Sequence, residues 1–306
     1  MPTAAITERS RRHVAPLPDR VGAIRALQVA LLVATLLFTQ TRSQAASDPD
    51  PRQLKPAARQ AFERYTQLTD ARNADELKRG SNLLSIDTLP EKEHDQAYAA
   101  LQKGRVKMQK LQTLDDGKPM ECPSCLIHHW VGVIFIRGAK VDDVLGVLED
   151  YERHSIYFAP DVERSKTLSH DGDHFRVFLR FRRHKVITVV LNTEHDVHYF
   201  RDTSDRAHSR SSATRIAQVE NVGKSDEREK TPGDDGGFLW CMETWWRMEE
   251  RDGGVYVQSE VASLTRDIPT GIGWLIEGFV TAIPKETLTF TLEATRKAVQ
   301  SRMTRR

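Results

Sequence analysis

Between Phe175 and Ser263 apolar and polar residues alternate with a period of two, the pattern of strands that turn one face to a core. The recurring inner side reads Phe175, Val177, Leu179, Phe181, then Ile187, Val189, Leu191, Thr193, His195, Val197, then Ala207, Ser209, Ser211, Ala213, Arg215, Ala217, Val219. It continues as Phe238, Trp240, Met242, Thr244, Trp246, Met248 and ends as Val255, Val257, Ser259, Val261, Ser263. The opposite side carries Arg176, Arg180, Glu194, Asp196, Arg210, Glu243, Arg247 and Glu260. Turn-forming clusters at Ser169 to Gly172, Arg182 to Lys185, Arg201 to Asp205 and Asp252 to Gly254 separate the runs. The prediction is an antiparallel meander, curved, with an apolar concave face and a polar outer one.

Upstream of the meander the period changes. Leu54 to Leu77 and Pro90 to Leu101 have apolar residues at spacings of three and four, so two helices are expected, the second begun by Pro90 and ended near Gly104. Val106 to Leu114 reads as a weak strand, and Leu126 to Ile136 as a strand apolar on both faces, hence covered on both. Val141, Val144, Leu145 and Leu148 form the buried stripe of a helix ending near Asp150. After Ile283 and Pro284 comes a last long helix with Leu288, Leu292, Thr295 and Val299 on one stripe, which would close over the sheet. Gly271 and Gly273 beside Trp274 would let the loop before it open, and Lys224 to Gly237, charged and poor in apolar residues, reads as a solvated loop.

Charge narrows the possible partners. With 45 Lys and Arg against 43 Asp and Glu, and no basic stripe interleaved with aromatics, nucleic acid is not an expected partner. The N-terminus reads as an export signal over residues 1–45: arginines at 9, 11, 12, 20 and 25, an apolar run from Ala26 to Phe38, and small residues at Ser43 and Ala45. That run is shorter than the roughly 20 residues a spanning helix needs, although an uncleaved anchor stays open as the alternative. Export places the protein in the periplasm or outside the cell, with membrane-surface contact possible.

Candidate chemistry is sparse. Cys122 and Cys125, spaced as CxxC and followed by His128 and His129, fit a metal site, a local disulfide or a pair of idle thiols; adjacent histidines on a strand point opposite ways, so only one could join a metal. Cys241 has no partner in sequence and reads as structural. His195 and Arg215 are the most polar side chains expected on the inner face, where an arginine can bind a carboxylate or phosphate and a histidine can donate to a carbonyl. A local bulge would turn either one outward. Thr193, Thr244 and Ser259 are candidate hydroxyl anchors, and Phe181, Trp240 and Trp246 would shape the pocket. Glu194, Asp196 and His198 share the outer face and could geometrically hold a metal, but a solvated polar face explains them more simply, and no metal site is expected. No nucleophile elbow, zincin, P-loop or dinucleotide fingerprint stands in a useful context, and no cofactor is expected.

The run from Trp130 to Arg302 resembles the START-like, polyketide cyclase and dehydrase (SRPBCC) superfamily. The resemblance lies in Val144 to Tyr151, Ala159 to Ser165, Gly172 and Asp173, Asp267 to Pro269 leading to Gly273-Trp274-Leu275, and Ile283 to Leu288 opening the last helix. It implies an α+β helix-grip fold, a curved antiparallel sheet wrapped around a long C-terminal helix, with a cavity that carries lipids, isoprenoids or polyketides. On this reading residues 46–125 are a helical extension with a linking strand, and 126–306 the ligand-binding domain. The expected function is carriage of a hydrophobic small molecule. Two rivals remain: a cyclase or dehydratase using His195 and Arg215, and a protein-interaction module with apolar surface on Leu54 to Leu101 and an empty cavity.

Overall fold

The structure, a computed structural model, describes residues 53–184, 187–267 and 273–305, with side chains of the last segment from 282 onward. The expected export signal, the hinge at Gly271 and the side chain of Trp274 lie outside them. The described residues belong to one unit, Pro51–Arg306.

Helix α1 (Pro56–Arg79) starts with proline at its first turn, ends with Lys78 and Arg79, and is closed by Gly80 at φ 65°, a left-handed cap that glycine adopts without steric cost. Helix α2 (Glu91–Gln102) follows Pro90 and carries Glu91 and Glu93 where the helix dipole favours them. Strand β1 (Lys107–Lys110) and a small hairpin, β2 (Leu114–Asp115) with β3 (Lys118–Pro119), lead to β4 (Cys125–Arg137). Helix α3 (Val141–Leu148) is capped by the Asp143 carboxylate, which accepts from the Lys140 N–H at 2.9 Å. A 3-10 turn (Tyr151–Arg153) and the short α4 (His154–Tyr157) precede β5 (Val162–Asp171), β6 (His174–His184), β7 (Thr188–Thr203) and β8 (Arg206–Glu220). The chain ends with β9 (Arg228–Glu229), β10 (Cys241–Arg251), β11 (Gly254–Arg266) and the long α5 (Gly273–Thr304).

The main sheet runs β1-β4-β11-β10-β8-β7-β6-β5, with β9 paired to β8, and every ladder is antiparallel. The expected meander is present, and β4 closes on its last strand. On the inner face Ile134, Ile136, Val177, Val197, Val255 and Val257 pack with α3 and with Leu288, Leu292 and Val299 of α5, the stripe read from the sequence. Gly132 is where α5 meets the sheet: a Cβ there would lie 2.5 Å from the Leu292 side chain and 2.6 Å from the Met108 sulfur, so glycine permits the approach.

The outer face is not the solvated surface that its polar sequence predicts, because α1 and α2 cover part of it. Phe62 and Tyr65 of α1 pack with Trp245, Ala262 and Leu264, while Ala97 and Leu101 of α2 pack with Leu84, Val133, Phe135 and Tyr256. This explains the two-sided apolarity of β4, which lies between α5 and the N-terminal helices. Arg247 (4 % exposed) and Glu260 (2 %) are buried under α1. The Arg247 guanidinium donates to the Leu83 carbonyl at 2.6 Å, to Glu76 at 2.6 Å and to Asn73. Glu260 accepts from His129 at 2.8 Å and from Arg72. The Tyr65 hydroxyl accepts the Thr113 N–H at 2.8 Å and so turns its own proton to His129 Nδ1 at 2.9 Å, which makes the His129 Nε2–H the donor to Glu260. Burial works to raise the Glu260 carboxyl, but His129 and the Arg72 and Arg247 charges hold it below the usual range.

Replacing Arg247 by alanine strands Glu76, Asn73 and the Leu83 carbonyl in a buried layer. The expected loss is about 3–5 kcal/mol, read as a fall in urea midpoint. A loss below about 1 kcal/mol would mean that the layer does not hold α1.

Candidate site inside the helix grip

On the inner face burial varies along the strands: it is complete at the Ile136 end, partial in the middle rows and high again at His195, Ser263 and His128. Met248, Val255, Val257, Ile134 and Ile136 are fully buried beneath α5, whereas Ser211, Thr244, Trp246, Val261 and Trp130 on the same face are only half-buried. Register places them in rows across the sheet. One row runs Tyr199, Ser209, Trp246, Ser259, Gly132. The next runs Val197, Ser211, Thr244, Val261, Trp130. Lys285 of α5 holds its ammonium 5.7 Å from the centre of the Trp130 ring, a cation beside the half-buried row.

Two hydroxyls here have nothing to bond. Ser209 Oγ and Ser259 Oγ, on strands either side of Trp246, are buried and have no hydrogen-bond partner among the described residues. On the neighbouring strand, Thr193 and His195 are buried as expected. The Thr193 hydroxyl donates to the Leu179 carbonyl at 3.1 Å, so the contact of 2.8 Å between Thr193 Oγ1 and His195 Nε2 has the imidazole as donor. His195 is therefore the Nε2–H tautomer, with Nδ1 left as an acceptor. Burial lowers its pKa to about 4, so it is neutral near pH 7. Phe181 meets the His195 ring edge-on at 6.4 Å and packs with Phe158, Val162 and Phe290.

Phe181, Thr193, His195, Thr244, Trp246 and Ser259 thus share the inner face, and two other candidates do not. A register shift in the β7–β8 ladder pairs Glu194 with Arg215 and His195 with Ala213, leaving Thr214 as an extra residue. This bulge moves Arg215 to the outer face, where it bonds Glu229, and puts Ile216 on the inner face in its place. Trp240 also leaves the inner face. The backbone turns at Gly237 (φ 70°) before β10 begins, and the Trp240 indole donates to Asp235 at 3.2 Å and packs with Ala58, Phe62 and Trp245.

The segment from Lys224 to Gly237 is also more than a solvated loop. It adds β9 to β8 and sets Glu227 3.0 Å from Arg180 and Glu229 2.7 Å from Asn192, covering the outer face of β6 to β8. Cys122 and Cys125 are joined as a disulfide, while His128 bonds Thr265 at 2.9 Å and His129 bonds Glu260, so neither histidine faces the sulfurs. Cys241 is free, and burial pushes its thiol up to about 11, which makes it inert at neutral pH.

The unpartnered serines were not legible as such in the sequence. In the sequence each is one more small polar residue of an alternating strand, and whether it finds a partner depends on the packing around it.

Burial lowers the pKa of His128, His154 and His195 from 6.5 to about 4. In the unfolded chain these rings take up protons from about pH 6.5 downward, while in the native state they stay neutral to about pH 4. Stability is therefore complete above that window and is lost as pH falls through it, by up to about 1.4 kcal/mol per pH unit for each ring. Urea midpoints measured across the window should show a shallower fall for His195→Asn than for the wild type. Parallel curves would mean that His195 is not buried neutral.

No protein-family model matches the chain, and no curated protein matches it in sequence. Solved structures do align with it. The STAR-related lipid transfer protein from Xanthomonas axonopodis aligns at 18% identity and a TM-score of 0.40 over 63% of this chain and 98% of its own. The Zhui aromatase/cyclase from Streptomyces sp. R1128 aligns at 14% identity and 0.38 over 58% and 96%. Human STARD10 aligns at 8% identity and 0.40 over 69% and 81%. The assignment of architecture rests on the strand order and on the helix that the sheet encloses: the chain has the α+β, START-like helix-grip fold.

Proposed function

We propose that this protein binds a hydrophobic small molecule, a lipid, isoprenoid or polyketide-like compound, between the inner face of the sheet and α5, and carries it outside the cytoplasm without altering it chemically. The observation that carries this reading is the pair of buried, unpartnered hydroxyls of Ser209 and Ser259 flanking Trp246. An unpaired buried hydroxyl costs about 1–3 kcal/mol, and a polar atom of a guest supplies the missing partner. The same guest can lay apolar surface on Trp246, Val261, Trp130 and Phe181, at about 25 cal/mol per Å² removed from water. His195 Nδ1 offers an acceptor at the far wall. The ligand class that suits these groups is an apolar skeleton with one or two hydroxyl or carbonyl groups.

Export rests on the arginine-rich start, the apolar run from Ala26 to Phe38 and the small residues at Ser43 and Ala45. Among the described residues no helix is long and apolar enough to cross a membrane. Carriage is favoured over catalysis because Arg215 faces away from His195, so the residue pair that a cyclase or dehydratase reading requires is split between two faces. It is favoured over an interaction module because Phe62, Tyr65, Ala97 and Leu101, the apolar face of the N-terminal helices, are buried against the sheet.

Native mass spectrometry of detergent-free protein, with organic extraction, should release a stoichiometric hydrophobic compound. In the double variant Ser209→Ala, Ser259→Ala the emptied protein should be as stable as the wild type or more so, and ligand affinity should fall at least about tenfold, near the 1.4 kcal/mol expected of one lost hydrogen bond. A protein that is empty and takes up no member of a panel of lipids and hydrophobic dyes would refute the proposal.

A further inference from the structure

The outer face of the same sheet carries a second feature, and its residues are separate from those of the inner-face site. In β7 the side chains of Thr193, His195, Val197 and Tyr199 turn inward, so Asp196 and His198 turn outward. His174, which opens β6 just after the turn at Gly172, is the cross-strand partner of His198. The two imidazoles are stacked with centroids 4.0 Å apart and 5° between their planes. Both present Nε2 to one carboxylate: His174 Nε2 lies 2.9 Å from Asp196 Oδ2 and His198 Nε2 lies 3.0 Å from Asp196 Oδ1.

We propose that His174, Asp196 and His198 form a surface site for a borderline transition-metal dication such as Zn²⁺ or Ni²⁺. One ligand atom from each residue can be chosen so that all lie within 4.8 Å of one another. Tetrahedral zinc with bonds of about 2.0–2.1 Å needs its ligand atoms about 3.3 Å apart, so binding draws the three ligand atoms together and turns the stacked imidazoles out of parallel until both ring-plane lone pairs meet the ion. Two imidazole donors select zinc, nickel or copper over magnesium and calcium, which prefer all-oxygen shells. The side chains are 39 % exposed at His174, 32 % at Asp196 and 47 % at His198, so an ion arrives from solvent and keeps water on its open side.

The surroundings support the arrangement. Phe200 lies beyond His198 at 6.3 Å and 21°, and His208 stacks on Phe200 at 4.6 Å and 14°, so the row of rings braces His198 in this orientation. This gives the exposed Phe200 a role (45 % exposed). His208 itself is turned to Asp202 at 2.9 Å and does not compete. Two cations neighbour the site across the strands, Arg176 opposite Asp196 and Arg210 opposite His198; Arg176 reaches diagonally to Glu194 at 3.6 Å and Arg210 is held by Asp70 and Glu243. The Arg176 pairing removes Glu194 from the ligand set that alternation alone suggests, and His174 takes its place from the adjacent strand.

The test is calorimetric titration of the untagged full chain, stripped with chelator, with ZnCl₂, NiCl₂ and MgCl₂ at neutral pH. Wild-type protein should bind a single zinc or nickel ion per chain with micromolar affinity and no magnesium. His174→Ala and His198→Gln should each weaken binding by at least about tenfold while circular dichroism stays unchanged. Zinc should raise the melting temperature of the wild type but not of the two variants. Asp196→Asn, which keeps size and position, repeats the test should either histidine variant fail to fold. Absence of saturable zinc and nickel binding to the wild type, or binding that survives in folded His174→Ala and His198→Gln, would overturn the proposal and leave a hydrogen-bonded surface triad.

Discussion

A guanidinium taken out of water without partners destabilises a fold by several kcal/mol, and Arg247 sits in the middle of the outer face of this sheet. It is tolerated because α1 delivers Asn73 and Glu76 to it and the following loop delivers the Leu83 carbonyl. One strand away Glu260 depends in the same way on Arg72 of α1 and on His129 of β4. Arg210, stacked at 4.5 Å on the Trp245 ring, reaches Asp70 at 2.8 Å. Removing α1 would leave charges of both signs half-desolvated on one surface. The extension is therefore a structural lid on the outer face, whose polar contacts fix its position where apolar burial alone would let it slide.

Covering the outer face frees the inner one for another purpose. With β4, β10 and β11 held from behind, α5 needs to press on the sheet only where Gly132 admits Leu292 and where Val299 meets the fully buried end. In the middle rows the inner side chains are half-buried, and the hydroxyls of Ser209 and Ser259 have no partner among the described residues.

The bulge at Thr214 decides how that interior can act. Without it Arg215 would point inside beside the neutral His195, and a cation under α5 would make an anion-binding centre. With it, Arg215 joins Asn192 and Arg180 on the outer face, where Glu227 and Glu229 of the loop after β8 neutralise the cluster. Among the described residues the inner wall carries neutral imidazoles at His195, tied to Thr193, and at His128, tied to Thr265.

The sequence by itself determined the elements and their order. Period-two alternation over β6 to β11, the helical stripe of Leu288, Leu292, Thr295 and Val299, and the two-sided apolarity of Leu126 to Ile136 are local patterns, and each matches the face the residue occupies. Thr193, His195, Thr244, Trp246, Ser259 and Phe181 were placed correctly because alternation runs unbroken through them. Alternation misplaces Arg215 because one inserted residue reverses the side chains that follow it in β8, and Trp240 because it precedes β10, after the turn at Gly237; neither leaves a compositional mark. Pairings between distant segments were decided only in three dimensions: Arg247 with Glu76, His174 with His198, the two serines either side of Trp246. Strand register and helix docking set those distances, and both depend on the whole sheet at once, whereas periodicity reports only what lies within a few residues along the chain.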